Sequence, residues 1–186
     1  MKVSKQKAAE HRDEILVGAS KLFREKGPRG VGIAQLMNAA GLTHGGFYGQ
    51  FASKDALFGE TVELMLRDAA AEASKAFARP DSLGRLAKTY MTSARLKGTG
   101  DCPIVTLAAD MPRSSAAVQE AFARGLRAYL SAGRDNKISS TEWLASTAGI
   151  AMIVGGMLMA RAVVAEDPEL AAAIVKAVGD RIVDIS

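Results

Sequence analysis

The sequence predicts an all-α protein, and three observations lead to this prediction. Apolar residues recur at intervals of three and four along most of the 186 residues, which is the spacing of one helix face. Glycine, proline, serine and aspartate separate these striped segments at positions where helices begin and end. No segment shows the strict alternation of apolar and polar residues that is typical of a half-buried strand. We expect about nine helices.

Four of these helices are predicted in residues 11–79. The first, residues 11–26, has an apolar stripe that includes Ile15, Leu22 and Phe23. Glycine can end a helix because it adopts the left-handed conformation without strain, and Ser or Thr can cap the next one. The predicted signals are Gly27-Pro28 after the first helix, Gly41 after the second, Thr43 before the third and Ser53 before the fourth.

Five further helices are predicted beyond Pro80, the last of them striped by Leu170, Ile174 and Val178. Residues 133–136 form a predicted loop, and a Ser–Glu pair three residues apart has the spacing of a capping box. Proline suits the first position of a helix because its φ angle is already helical. The first of the five helices is predicted to begin at Asp81 and to end near Gly98, and the second, a short one, to begin at Pro103 and to stop before Pro112. The predicted starts of the other three are Ser114 or Ser115, the pair Ser139 and Glu142, and Asp167-Pro168.

Residues 33–51 are predicted to form two short helices joined by a glycine turn. Phe47 and Phe51 lie four residues apart and share one face of the second helix, while Tyr48 and Gln50 point elsewhere. A short helix held against another by a tight turn, with polar side chains on its outer face, is a helix-turn-helix. The second helix of such a motif has the dimensions to enter a DNA major groove.

This segment resembles the TetR family of bacterial transcriptional repressors. The resemblance extends upstream to Ile15-Leu16, Ala19, Leu22-Phe23 and Gly27, and it covers about residues 8–65. His44, Gly46 and Gly49 depart from it, since the family often has a basic residue at the first position and larger side chains at the others. The residues that match the family motif are Gly41, Leu42, Thr43, Gly45, Tyr48, Phe51, Ser53 and Lys54.

The resemblance implies a role in DNA binding for several residues of this segment. Tyr48 is expected to donate its hydroxyl to a phosphate, and Lys54 to place positive charge near the DNA backbone. Short recognition helices contact bases through their N-terminal side chains. Each residue could instead be a packing or solvated residue. The candidate base and backbone contacts are Gln35, Thr43, His44, Gly45 and Gln50.

The first twelve residues are basic, with Lys2, Lys5, Lys7 and Arg12 against Glu10 alone. The net charge of the whole chain, +4, carries little information about partners. A basic arm before a helix-turn-helix favours contact with phosphates. The alternative is a solvated terminus without a partner.

Residues 1–52 are predicted to form a DNA-binding head and residues 53–186 a helical effector-binding and dimerisation body. Residues 143–160 contain no charged side chain, and this segment is long enough to span a membrane. Glu142 and Arg161 bracket this segment closely, and a helix that is apolar all round is also typical of a dimer interface. The resemblance implies the dimer, since the last two helices of the family usually pair with their mates. Small residues that would permit close approach are Ala148, Ala151, Gly155, Gly156 and Ala160.

The body is expected to contain a pocket for a neutral or largely apolar effector. Its eight methionines suit an adaptable cavity, although apolar residues at helical spacing are more often simply core. The candidate lining residues are Met91, Leu107, Met111, Phe122, Leu126, Tyr129, Trp143 and Met152.

Cys102, the single cysteine, is a further candidate for this pocket. It precedes Pro103 at a predicted helix start, where exposed backbone N–H groups would stabilise a thiolate, while the adjacent Asp101 opposes this. A redox- or electrophile-sensing thiol is therefore one hypothesis, and a small buried core residue is the other.

The sequence thus predicts a homodimeric, cytoplasmic transcriptional regulator, most simply a repressor that a small molecule releases from double-stranded operator DNA. The alternatives are an effector-independent DNA-binding protein and a thiol sensor. No signal peptide is expected, because the N-terminus lacks an apolar run. We expect no enzyme activity, no metal and no cofactor, since His11, His44 and Cys102 are scattered and Gly98-Thr99-Gly100 lacks a preceding strand.

Overall fold

The structure, a computed structural model, describes residues 5–77, 82–92, 95–96, 102–132 and 140–185. Within these residues the elements are helices, and no strand occurs, so the all-α prediction is confirmed. The α helices are α1 (Lys5–Lys26), α2 (Ile33–Ala39), α3 (Lys54–Phe77), α4 (Ser82–Tyr90), α5 (Pro103–Leu107), α6 (Ala116–Leu130), α7 (Thr141–Val163) and α8 (Pro168–Ile185). Two 3₁₀ helices, His44–Gly49 and Ala108–Arg113, complete the described part.

Most helix boundaries lie at the predicted signals. Gly27 and Gly41 have φ angles of 68° and 69°, the left-handed conformation expected after α1 and α2. The Ser53 hydroxyl accepts a hydrogen bond from the Ala56 N–H at 3.0 Å and caps α3. The Asp167 carboxylate accepts one from the Leu170 N–H at 2.9 Å and caps α8.

Several boundaries differ from the prediction: α1 begins at Lys5 rather than near His11, and the 3₁₀ helix Ala108–Arg113 continues through Pro112, where the sequence predicted a stop. Ser140, not Ser139, caps α7, because its hydroxyl accepts from the Trp143 N–H at 3.2 Å; Ser139 lies outside the described residues. Helix α4 ends at Tyr90 rather than near Gly98, since the Thr92 N–H turns back to the Tyr90 carbonyl at 3.0 Å. The predicted cap Asp81 and the predicted loop at residues 133–136 also lie outside the described residues.

The main hydrophobic core joins the N-terminal helices to the rest of the chain. Phe23 of α1 meets Phe58 of α3 edge-to-face, with ring centroids 4.9 Å apart. The same buried cluster includes Phe47 from the N-terminal part and Leu107 and Phe122 from the later helices. The core is therefore continuous across residue 52.

Helices α3 and α6 pack closely because α6 has a glycine at the contact. A Cβ added at Gly125 would lie only 2.4 Å from the Leu66 Cβ, so a larger residue would force the two helices apart. A second core lies between α4, α7 and α8, where Met157, Ala160 and Ile182 are fully buried. Between α1, α3 and the four helices α4, α5, α6 and α7, the packing leaves a cavity.

Candidate DNA-binding surface and effector cavity

The segment predicted as the second helix of the motif is a 3₁₀ helix, His44–Gly49, rather than an α helix. Three of its six residues are glycines, which destabilise helices, and the short segment does not form the wider α turns. Thr43 occupies the N-cap position with extended backbone, although its side chain makes no capping hydrogen bond. The turn geometry predicted around Gly41 and Thr43 is thus retained in a tighter helix.

Two aromatic rings hold this recognition segment, His44–Gly49, against the core. Phe47 is fully buried and Phe51 almost so, and their ring centroids lie 5.9 Å apart. Tyr48 packs edge-on against Phe47 at 5.2 Å but is 66% exposed. Its hydroxyl is therefore free to face an external partner while its ring stays fixed in direction.

The predicted base-contact residues share one exposed surface. Thr43, His44, Gly45 and Tyr48 are exposed, and Gln50 is half-buried. Gln35 is exposed too, but its Oε1 accepts a hydrogen bond from the Gly32 N–H at 2.9 Å and caps α2. The Gln35 amide N–H₂ remains as a donor toward the surface.

Lys54 has a structural function that the sequence did not reveal. Its ammonium donates to the carbonyls of Pro28 and Val31 at 3.0 and 3.1 Å, which ties the α1–α2 loop to the start of α3. Charge-assisted hydrogen bonds of this kind are stronger than neutral ones. The positive charge stays beside the recognition segment, with one N–H not used by these two bonds.

Arg12, predicted as part of a basic arm, is directed inward. Its guanidinium pairs with Glu60 of α3 at 2.6 Å and lies 4.5 Å above the Phe51 ring. Residues 5–12 form the first turns of α1 instead of an extended arm. Arg12 therefore links α1, α3 and the aromatic anchor of the recognition segment.

Gly45 and Gly49 have no steric function within the folded chain. A Cβ at either position would meet no atom within 4 Å, and neither residue has a positive φ angle. Gly46 is similar, since its nearest contact would be the Met37 methyl at 3.5 Å. The three glycines leave the recognition surface flat, which lets a partner's backbone approach closely.

A cavity of about 490 Å³ lies between α1, α3, α4, α5, α6 and α7. Its wall is predominantly apolar, with polar atoms from a few side chains, as is typical of small-molecule sites. The residues that line it are Val17, Ser20, Arg24, Leu64, Met65, Asp68, Ala69, Glu72, Ala73, Ala76, Phe77, Leu86, Tyr90, Cys102, Pro103, Ile104, Tyr129, Ile150, Ile153 and Val154.

The predicted ligand-binding residues are distributed over several environments. Cys102 and Tyr129 line the cavity, whereas Met91 lines a separate groove between α4 and α8. The others do not line the cavity. Leu107, Met111 and Phe122 are buried in the main core, Leu126 packs against it, Met152 packs against the second core, and Trp143 is half-buried on α7.

Sequence reasoning missed the contribution of α1 to the cavity wall. Val17, Ser20 and Arg24 come from the helix that precedes the recognition segment. Their spacing of three and four residues places them on one face of α1, adjacent to the predicted core stripe. That spacing could have identified them, but the stripe alone does not say which helix it faces.

Tyr90 and Cys102 form the polar part of the cavity wall near α4 and α5. The Tyr90 hydroxyl is buried and has no hydrogen-bond partner among the described residues. Burial first, and then the neighbouring Cys102, raise the pKa of Tyr90 far above its usual value. Tyr90 therefore remains a neutral hydrogen-bond donor at any physiological pH.

One face of α7 and α8 is apolar yet exposed. Leu144 is 55% and Met159 56% exposed, and Ala148, Ala151 and Ala162 are exposed at helical spacing between and beyond them. By length and composition, one helix of the described chain, Trp143–Val163, could cross a membrane, and only 33% of its most apolar window is buried.

Gly156 and Ala160 do not belong to this exposed face. A Cβ at Gly156 would lie 2.8 Å from Val178, and Ala160 is fully buried. The small residues of α7 therefore have two different environments, since Gly156 admits Val178 of α8 and Ala160 is buried in the second core. Gly155 would meet no atom within 4 Å and adjoins the exposed face.

Part of the chain matches a known protein family, and its fold matches solved structures. Residues 15–61 match the family model of bacterial regulatory proteins of the tetR family. No curated protein sequence matches the chain significantly.

The fold of nearly the whole chain recurs in solved structures of low sequence identity. The reduced form of NemR from E. coli superposes with a TM-score of 0.70 at 19% identity, over 94% of this chain and 96% of that one. A TetR-family regulator from Cytophaga hutchinsonii gives 0.69 at 17% identity, over 99% and 98%. FadR from Bacillus subtilis, solved with stearoyl-CoA, gives 0.61 at 14% identity, over 92% and 97%.

The matching segment contains the turn at Gly41, the recognition segment and the Lys54 tether, which are the features that define the candidate DNA-binding surface. The helices that follow have the arrangement of the solved regulators. The predicted resemblance is thus confirmed: residues 15–61 match the tetR family model, and nearly the whole chain shares the fold of solved regulators of that type.

Proposed function

We propose that this protein is a cytoplasmic, homodimeric transcriptional repressor that leaves its operator when a small molecule binds. The observation that carries the proposal is the exposed surface of Thr43, His44, Gly45 and Tyr48 on a segment anchored by buried Phe47. Exposed side chains on a short, narrow helix suit insertion into a DNA groove. Residues 1–52 bind DNA in this proposal, and residues 53–186 bind the effector and the second copy.

The exposed apolar face of α7 and α8 supports the dimer. Leu144, Met159, Leu170 and Val183 are among the few large apolar side chains of the described chain that stay exposed. Large apolar side chains exposed on two packed helices are typical of an interface. Two heads held by such a dimer would meet successive DNA half-sites, which lie about 34–36 Å or a multiple of this apart.

The cavity supports effector control. Its volume and predominantly apolar wall suit a small, largely apolar molecule. Since α3 lines the cavity and is separated from the end of the recognition segment by four residues, a ligand that alters the position of α3 would change the spacing of the two heads. By linkage, operator DNA must lower the affinity for the effector by the same factor by which the effector lowers the affinity for DNA. The coupling free energy is typically about 1–3 kcal/mol.

The DNA-binding proposal is tested by selecting bound duplexes from a random library and measuring affinity for the selected site. Tyr48→Phe should weaken binding to all sequences because it removes only the exposed hydroxyl. His44→Ala or Thr43→Ala should instead change the preferred sequence, by about 1–3 kcal/mol per base contact. Failure to enrich any sequence, or an unchanged affinity of Tyr48→Phe for the selected site, would contradict the proposal.

The dimer is tested by a charge on the exposed face of α7. Met159→Arg should give a monomer in light scattering and lose tight operator binding at the same time. Ala71→Arg is the matched control, since Ala71 is exposed on α3 away from α7 and α8. A monomeric parent protein at micromolar concentration would rule out the dimer.

A second candidate function is sensing through Cys102, and one observation favours it. The thiol lines the cavity beside Tyr90, so an electrophile that enters the cavity would reach it. Under this function a mild electrophile should release operator from the parent protein and leave the Cys102→Ser complex intact. Equal release from both proteins would exclude it.

A further inference from the structure

We propose that helix α1 of the DNA-binding head selects the effector directly, through Val17, Ser20 and Arg24. This inference depends on the cavity being the effector site. It goes further because it assigns part of the binding wall to the head itself, in a helix for which sequence analysis predicted only packing.

The geometry of α1 carries the inference. Val17, Ser20 and Arg24 line the cavity at intervals of three and four residues, so one face of the helix forms a continuous side of it. The opposite side comes from Leu64, Met65 and further residues of α3. A molecule in this part of the cavity lies between the two helices and touches both.

Val17 marks the entrance. It is 66% exposed although it is apolar, and it lines both the cavity and a neighbouring groove along α1 and α3. Leu64 is the other residue that the cavity and the groove share. The seam between α1 and α3 therefore connects the interior of the cavity with solvent.

The side chains of α1 define the chemistry of the ligand at this end. Ser20 is buried and already donates to the Leu16 carbonyl at 2.8 Å, so it offers only acceptor capacity. Arg24 uses its Nε on the Ser20 carbonyl at 3.1 Å, and within the described residues its other N–H groups have no partner. A flat apolar molecule with an anionic or carbonyl acceptor toward Arg24 fits this wall.

The position of Val17 also explains how occupancy would reach the DNA surface. Five residues earlier on α1, Arg12 pairs with Glu60 of α3 and lies over the Phe51 ring. A ligand that separates α1 from α3 acts on this contact, and Phe51 anchors the recognition segment through Phe47. The head therefore senses the ligand without a relay through the remaining body helices.

The test uses two defined fluorescent probes on the full-length protein. The anionic probe is 1-anilinonaphthalene-8-sulfonate, and the neutral probe of similar shape is N-phenyl-1-naphthylamine. Val17→Trp should weaken both probes several-fold because it fills the entrance, whereas Arg24→Met should weaken only the sulfonate. Glu14→Trp is the matched control, since Glu14 is exposed on α1 and does not line the cavity.

Protection of Cys102 locates the probes. Bound probe should slow alkylation of this single cysteine by N-ethylmaleimide in the parent protein and in Glu14→Trp, but not in Val17→Trp. Thermal unfolding checks that each variant folds, and Arg24→Gln replaces Arg24→Met if that variant does not. Probe affinities that are the same in all variants, or binding that leaves Cys102 unprotected, would overturn the inference.

Operator affinity measured in the same series separates this inference from the proposed function. If no operator is bound, or if the probes leave operator affinity unchanged, the effector-controlled repressor fails. The selectivity of α1 is still decided by the probe affinities and by Cys102 protection.

Discussion

The head and the body differ in how their polar side chains are paired. In the head, Lys54 donates to two carbonyls, Gln35 caps α2 and Arg12 is paired with Glu60. The buried polar atoms that lack a hydrogen bond among the described residues all lie in the body: Tyr90 Oη, Trp143 Nε1, Thr147 Oγ1 and Arg161 Nε.

This difference teaches which part of the molecule is complete without a partner. An unsatisfied buried donor costs about 1–3 kcal/mol, so such a group calls for an explanation, and a bound partner is one. Among the described residues of the head, no buried polar side-chain atom lacks a hydrogen bond. The body is unsatisfied next to the cavity and on α7, where an effector and a second copy are proposed to bind.

The largest effect is expected from Lys54→Ala, which removes two charge-assisted hydrogen bonds. We expect a loss of about 2 kcal/mol in the free energy of unfolding, measured by urea denaturation. Operator affinity should fall for all sequences, and its dependence on salt should become flatter. Lys75→Ala is the control, since Lys75 is exposed and pairs only with Glu72, and it should change neither quantity appreciably.

A smaller effect is expected from Arg12→Ala. Its ion pair with Glu60 is partly exposed, so we expect a loss of about 1 kcal/mol in the free energy of unfolding, including the contact with Phe51. A double-mutant cycle with Glu60→Gln measures the pair itself. A larger reduction in operator affinity for Arg12→Ala than for Glu60→Gln would identify the Phe51 contact as the important one. If Arg12→Ala left the free energy of unfolding unchanged, the contacts of Arg12 with Glu60 and Phe51 would not stabilise the head.

Removing a polar group from the body should instead increase the free energy of unfolding. Tyr90→Phe removes a buried hydroxyl that has no hydrogen-bond partner among the described residues, so the ligand-free protein should become more stable by up to about 1 kcal/mol. Tyr48→Phe is the matched control: its hydroxyl is exposed, so stability should stay constant while DNA affinity falls. A destabilised Tyr90→Phe protein would show that the hydroxyl is paired in solution, and the contrast between the two regions would then not hold at this site.

The smallest effect on stability is expected at Gly49. Gly49→Ala meets no neighbouring atom and restricts the unfolded chain, so stability should rise by about 0.5 kcal/mol in thermal unfolding. Operator affinity should nevertheless fall, because the added methyl group occupies the surface that faces DNA. If affinity is unchanged while stability rises, close approach at Gly49 is not part of DNA recognition.

The sequence alone determined the features that depend on neighbouring residues. The all-α class, the left-handed turns at Gly27 and Gly41, the caps at Ser53 and Asp167, and the aromatic pair that anchors the recognition segment are all consequences of local spacing. Backbone conformation and helix capping depend on interactions within a few residues, so a pattern in the sequence is sufficient to predict them.

Tertiary structure decided which helix each apolar stripe contacts. Leu107 and Phe122 were predicted to line the cavity and are core, whereas Val17 was an unremarked residue of α1 and marks its entrance. Likewise, adjacent glycines of α7 separate into Gly156, which admits Val178, and Gly155, which adjoins the exposed face. Spacing shows that a face is apolar, but its neighbour depends on the angles and distances at which distant helices pack, and these arise only when the whole chain is folded.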